Sequence, residues 1–171
     1  MNPLTTARLR LIPASAALLD ADRTLQVHGS DQALRVLLNI GPIGEWPPIG
    51  SDHNVGAVDF FRANTPDGSQ GSEWGMYYAC FGQELVGSVG FLGPPANGDV
   101  EIGYSICLMQ RRRGLAMEVV QALVEKARTR GVARVKARTP PDNQPSIALL
   151  LKAGFLEQSP EDEHLLFIKT T

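Results

Sequence analysis

Residues 99–126 read DVEIGYSICLMQRRRGLAMEVVQALVEK, and the rest of the chain is arranged around them. Val100 to Leu108 is rich in β-branched and apolar residues and free of proline, which predicts a strand. Leu115, Val119, Leu123 and Ala127 recur every fourth residue beside Ala116, Val120 and Val124, opposite Glu118, Gln121, Glu125 and Arg128. That is one apolar face at helical period. Between strand and helix stand Arg111, Arg112 and Arg113, then Gly114. A helix that begins here leaves its first N–H groups without intrahelical partners and adds the positive end of its dipole. Three arginines at that point predict an anion site, best suited to a phosphate. The plain alternative is a surface-charged turn.

The composition narrows the ligand. The chain has 171 residues, 43% hydrophobic and 20% charged, as expected of one globular domain over residues 1–171. A formal net charge of −2 argues against a nucleic-acid partner, for which a basic footprint is expected. The arginine cluster is therefore local. Cys80 and Cys107 form no CxxC pair, and His28, His53 and His164 are scattered, so no metal is expected. Met1 to Pro13 lacks a long apolar run and no stretch approaches a membrane span, so the expected compartment is the cytoplasm. A monomer and a homodimer both remain open.

Taken in order, the chain predicts a strand at Arg8 to Ile12 ended by Pro13. A helix from Ala16 to about Leu25, capped by Ser15, follows, then a short helix over Ala33 to Leu38. Asn39 to Ser51, dense in glycine and proline, suits an ordered loop. Its Trp46 either plugs the core edge or walls a substrate pocket; Trp74, Tyr77 and Tyr78 are further pocket candidates. His53 to Ala63 reads as a helix with Asp52 as a possible cap. Met76 to Phe81 and Glu84 to Leu92 read as a hairpin. After the central helix come a strand (Ala133 to Arg138), a helix (Ser146 to Ala153) and two strands (Phe155 to Gln158, His164 to Ile168). Gly87-Ser88-Val89-Gly90 is no nucleophile elbow, and no Gly-x-x-x-x-Gly-Lys phosphate loop occurs.

Two motifs carry a resemblance. Residues 111–116, Arg-Arg-Arg-Gly-Leu-Ala, follow the strand EIGYSI and open the helix. This resembles the coenzyme A signature Gln/Arg-x-x-Gly-x-Gly/Ala of the GNAT family of N-acetyltransferases. Residues 143–155, Asn-Gln-Pro-Ser-Ile-Ala-Leu-Leu-Leu-Lys-Ala-Gly-Phe, resemble that family's Asn-x-x-Ser followed by a helix ending Lys-x-Gly-Phe. In detail the chain is similar to the branch containing the ribosomal-protein N-terminal acetyltransferases. The resemblance implies a mixed α/β (α+β) fold, with a mostly antiparallel central sheet flanked by helices on both faces. It implies acetyl-CoA as acetyl donor and an amine of unspecified identity as acceptor.

It also implies roles. Main-chain groups at Ile106, Cys107 and Leu108, where two central strands splay, would meet the pantetheine arm and the developing oxyanion. Arg111, Arg112, Arg113, Gly114, Leu115 and Ala116 would hold the phosphates. Asn143 would bond the amides of the arm, and Ser146 would reach the sulfur and serve as the acid. Without the resemblance, Asn143 and Ser146 are only turn and cap residues. Glu101 is the candidate base, with an ordinary charged strand residue as its alternative. Cys107 has no histidine partner and is not read as a nucleophile. Leu108 stands where related sequences often carry proline, and Arg112 where they often carry glycine. The role of Glu118 stays open. The competing class is a catalytically weak acyl-CoA-binding regulatory protein of the same fold.

Overall fold

The structure, a computed structural model, describes residues 4–160 and 163–171; the first residues of the segment read for a leader lie outside it. The sheet is built from β1 (Leu4–Thr5), β2 (Leu9–Pro13), β3 (Met76–Phe81), β4 (Glu84–Phe91), β5 (Asp99–Ile106), β6 (Arg134–Thr139), β7 (Leu156–Glu157) and β8 (Leu165–Thr170). Its strand order is β1-β2-β3-β4-β5-β6-β8-β7. Neighbours run antiparallel except β5 and β6, the parallel pair joined by the crossover through α4 (Leu115–Thr129). The other helices are α1 (Ala16–His28), α2 (Gln32–Leu38), α3 (Val55–Ala63) and α5 (Gln144–Lys152). The mixed, mostly antiparallel sheet read from the sequence is the one observed.

Each face of the sheet has its own core. Leu9, Leu11, Tyr77, Val89, Val100, Ile102, Val135 and Phe167 pack on one face with Leu115, Val119, Val120 and Leu123 of α4 and Leu150 of α5. The helical stripe read at fourfold spacing is thus the buried one, each such side chain contributing about 1.5–3 kcal/mol. On the other face Met76, Tyr78, Cys80 and Leu85 meet Leu18 and Leu19 of α1, Leu34 and Leu38 of α2, and Val58 of α3. In the middle, β4 and β5 approach closely at Gly87, where a Cβ would sit 2.2 Å from the Ser105 carbonyl oxygen. The Gly-Ser-Val-Gly run therefore serves strand packing.

Several boundaries differ from the sequence reading. The central strand ends at Ile106 rather than Leu108: Cys107 turns away (φ −51°, ψ 140°) and Leu108–Gln110 forms one 3-10 turn. Helix α1 continues past Leu25 to His28, stopped by Gly29 at φ 72°. Helix α3 starts at Val55, capped by the Asn54 side chain accepting from the Ala57 N–H at 3.1 Å, and Asp52 plays no part. Helix α5 begins at Gln144 because Asn143, not Ser146, is its cap. The two-residue β1 is too short to leave a sequence pattern.

Candidate active site

The arginine turn is a built anion cradle. The first intrahelical bond of α4 runs from Glu118 N–H to Gly114 O (3.1 Å), so the N–H groups of Leu115, Ala116 and Met117 have no intrahelical partner. Gly114, the N-cap, offers no side-chain acceptor. Arg112 and Gly114 both take left-handed backbone (φ 61° and 77°), which turns nearby N–H groups into a concavity suited to anions. The three arginines are not equivalent. Arg111 is a strut, its Nε donating to Ile106 O (2.9 Å) and its Nη2 to Ile49 O (2.7 Å). Arg113 bonds Gln110 and lies 4.9 Å over the Phe81 ring. The exposed Arg112 side chain has no bonded partner among the described residues.

Glu118 faces away from that cradle. Its carboxylate accepts from the Thr6 hydroxyl, from Arg8 N–H (2.8 Å) and from Arg8 Nε (2.7 Å). Burial pushes its carboxyl up, but these donors outweigh burial and hold it below the usual range. Arg8 also donates to Arg113 O (2.9 Å), so Glu118 and Arg8 pin the turn to the start of β2.

Beside the turn, the sheet opens. Pairing between β5 and β6 ends at Ile102↔Ala137, although β5 runs on to Ile106 and β6 to Thr139. Leu92 N–H bonds Glu101 O (3.0 Å) and Cys107 N–H bonds Val86 O (2.9 Å). Alternation along an antiparallel ladder then directs residues 101, 103, 105 and 107 toward β4, and 104 and 106 toward the gap. Cys107 N–H is therefore not open to a ligand, which corrects its place among the donors; the Ile106 N–H points into the opening. Leu108 N–H is likewise taken, by Glu45 (2.8 Å to each carboxylate oxygen).

The catalytic candidates fall on opposite faces of this opening. Ser146, half-buried at the start of α5, shares a 2.8 Å hydrogen bond with the Tyr104 hydroxyl. Tyr104 was not singled out by sequence, because its pairing with Ser146 spans 42 residues. Burial pushes its hydroxyl up, the bond to Ser146 opposing, so it keeps its proton at neutral pH. Asn143 Oδ1 caps α5 by accepting from Ser146 N–H (3.3 Å). Glu101 lies on the other face, ion-paired with Arg138. Nearby, Asp99 pairs with Arg134 (2.6 Å) and Lys136 (2.7 Å). A cavity of about 300 Å³ lined by Leu92, Asp99, Glu101, Lys136 and Arg138 opens there. Burial, then the Glu45 charge, pushes the Cys107 thiol up to about 12, leaving it protonated.

The aromatic candidates are structural. Tyr77 and Tyr78 are fully buried, so neither walls an open pocket, and the half-buried Trp74 packs edge-on against Phe91 at 4.9 Å. Trp46 joins a buried network centred on Asp22. That carboxylate accepts from Trp46 Nε1 (2.7 Å), Gln26 Nε2 (3.0 Å) and the Tyr78 hydroxyl (2.9 Å), and lies 2.8 Å from His53 Nε2. Burial alone would push the Asp22 carboxyl up; His53 and the other donors outweigh it and hold it below its ordinary value. Among the described residues no group of three metal-ligating side chains occurs, and no helix is long and apolar enough to cross a membrane.

Comparison with known proteins agrees with this architecture. Residues 8–156 match the acetyltransferase (GNAT) domain family. The uncharacterized N-acetyltransferase YjdG of Bacillus subtilis (strain 168) is 35% identical over 171 residues, covering 96% of this chain and 97% of its own. An acetyltransferase structure from Agrobacterium tumefaciens str. C58 superposes with a TM-score of 0.66 at 22% identity, over 100% of this chain and 95% of its own. The coenzyme A complex of RimL, a ribosomal L7/L12 alpha-N-protein acetyltransferase, gives 0.62 at 19%, over 98% and 96%. The chain belongs to the GNAT acetyltransferase family. It is an acetyl-CoA-dependent N-acetyltransferase.

Proposed function

We propose that the acceptor is a primary amine, either a protein N-terminus or a small-molecule amine, which attacks the acetyl thioester directly. The observation that carries this reading is the unpaired stretch of β5 beyond Ile102↔Ala137, with the Ser146–Tyr104 pair on one face and Glu101 on the other. A thioester lying in that opening has its sulfur toward Ser146 and its carbonyl toward the Ile106 N–H. Backbone N–H groups at the start of α4, with Arg112, hold the phosphates.

Glu101, directly or through water, takes the proton that makes the amine nucleophilic. The amine lone pair then forms the C–N bond, and the Ile106 N–H stabilises the oxyanion of the tetrahedral intermediate. On collapse the C–S bond breaks and the electron pair leaves with sulfur. Ser146, hydrogen-bonded to Tyr104, gives its proton to the departing thiolate, and the second proton lost by the acetylated nitrogen restores the serine hydroxyl. No acyl-enzyme step is needed: Cys107 is a buried, protonated thiol, and Ser146 has a phenol rather than a base beside it.

The test is thiol release from acetyl-CoA over a panel of amines and N-terminal peptides. Turnover on at least one primary amine, with mass analysis placing the acetyl group on nitrogen, is expected. Tight coenzyme A binding with no turnover on any acceptor would instead favour a regulatory acyl-CoA binder.

A further inference from the structure

We infer that Glu45 is the positioning residue that sets the coenzyme A turn, and that it couples the turn to the Trp46 loop. This rests on the assignment of residues 111–116 as that turn. Both Glu45 carboxylate oxygens accept from Leu108 N–H at 2.8 Å, and Oε1 also accepts from Ile49 N–H at 2.9 Å. The Met109 N–H points to the same carboxylate. Glu45 thus supplies an acceptor for the first N–H groups of the 3-10 turn, where a cap fixes the direction of entry. Two further bonds join the same segments. Cys107 Sγ donates to Glu45 O (3.3 Å), and Arg111 Nη2 donates to Ile49 O (2.7 Å).

The loop that holds Glu45 is itself anchored one residue on. Trp46 donates to the buried Asp22 and packs against His53, the two rings tilted by 59° with centroids 4.8 Å apart. A continuous path therefore runs from α1 through Trp46 and Glu45 to Leu108 and Arg111, across more than 60 residues of sequence separation. A flexible turn would have to be ordered by each incoming coenzyme molecule, and that ordering would weaken binding. Glu45 orders it beforehand.

Proline offers an independent way to set the same turn. Cys107 already has a ψ that suits a residue before proline (140°). Proline at 108 would remove the N–H that Glu45 holds and fix the backbone covalently. Glu45→Ala is expected to weaken coenzyme A binding about tenfold by calorimetric titration. Its KM for acetyl-CoA should rise while kcat at saturation stays within about twofold, as for loss of binding common to ground and transition states. Leu108→Pro added to Glu45→Ala should recover most of the lost affinity. Glu45→Gln, which keeps one acceptor oxygen, should lose less, and it carries the test if the alanine variant does not fold. Gly114→Asp, run in parallel, places a carboxylate in the cradle and should abolish binding. If Gly114→Asp binds normally, the turn assignment fails. If Gly114→Asp abolishes binding while the folded Glu45 variants bind like wild type, or if proline at 108 rescues nothing, the role of Glu45 alone is refuted.

Discussion

At the scale of single residues, Arg112 carries a cost that its position explains. An L-residue held at φ 61° is disfavoured by about 1–2 kcal/mol, and glycine is not. Glycine loses more backbone entropy on folding, about 0.5–1 kcal/mol, so the net gain is smaller. Arg112→Gly should stabilise the protein by about 0.5–1 kcal/mol, read as a higher denaturation midpoint at unchanged m-value. A lower midpoint would show that the guanidinium does structural work absent from its contacts. The same substitution should weaken coenzyme A binding, since Arg112 is the arginine of the turn whose side chain has no bonded partner among the described residues. This position was legible in the sequence as a departure from glycine, but only the backbone angle says what the departure does. Glu45 and Tyr104 were not legible, because nothing local marks a carboxylate or phenol whose partner lies 63 or 42 residues away.

At the scale of elements, periodicity was informative where one face is buried over many residues. The stripe of α4 was readable for that reason, whereas β3 and β4, buried on both faces, were readable as short apolar runs either side of a tight turn. Ends were less readable, since they depend on caps and on where a ladder runs out: Asn54 rather than Asp52 starts α3, and pairing of β5 with β6 stops within both strands. That early stop is what brings Tyr104 of β5 to Ser146 of α5. Removing either hydroxyl separates a role in chemistry from one in packing. Ser146→Ala should lower kcat by about 10²-fold or more, as for loss of a general acid, with coenzyme A affinity changed little. Tyr104→Phe should lower kcat by a smaller factor, because Ser146 remains. Steady-state kinetics beside coenzyme A titrations read both. Equal kcat in Ser146→Ala and wild type would remove the serine from the acid step.

At the scale of the whole molecule, the sheet separates two cores, and the one under α1, α2 and α3 contains the buried Asp22 carboxylate. Composition gave no hint of this, because twenty per cent charge is ordinary and says nothing about which acid is enclosed. Asp22 links α1, the Trp46 loop, His53 and β3, so its ionisation is tied to global stability. Its folded value lies below the ordinary 3.8, so the unfolded chain takes up the proton first as pH falls. The stabilisation is fully present above about 3.8 and is lost as pH drops through the lower folded value. Glu118, also held low, adds to the same acid limb from 4.5 downward. Asp22→Asn cannot ionise and puts an amide donor where the carboxylate accepts several bonds. At neutral pH it should cost about 3 kcal/mol, as for loss of hydrogen bonds to a buried charged acceptor that leaves its donors unpaired. Below pH 4 wild type weakens while the variant lacks this term, so the gap between them should narrow. Urea midpoints measured from pH 7 to pH 3 for both proteins decide it. A gap that stays constant through pH 4 to 3 would mean that the Asp22 network stabilises the fold by shape alone, with no contribution from its charge.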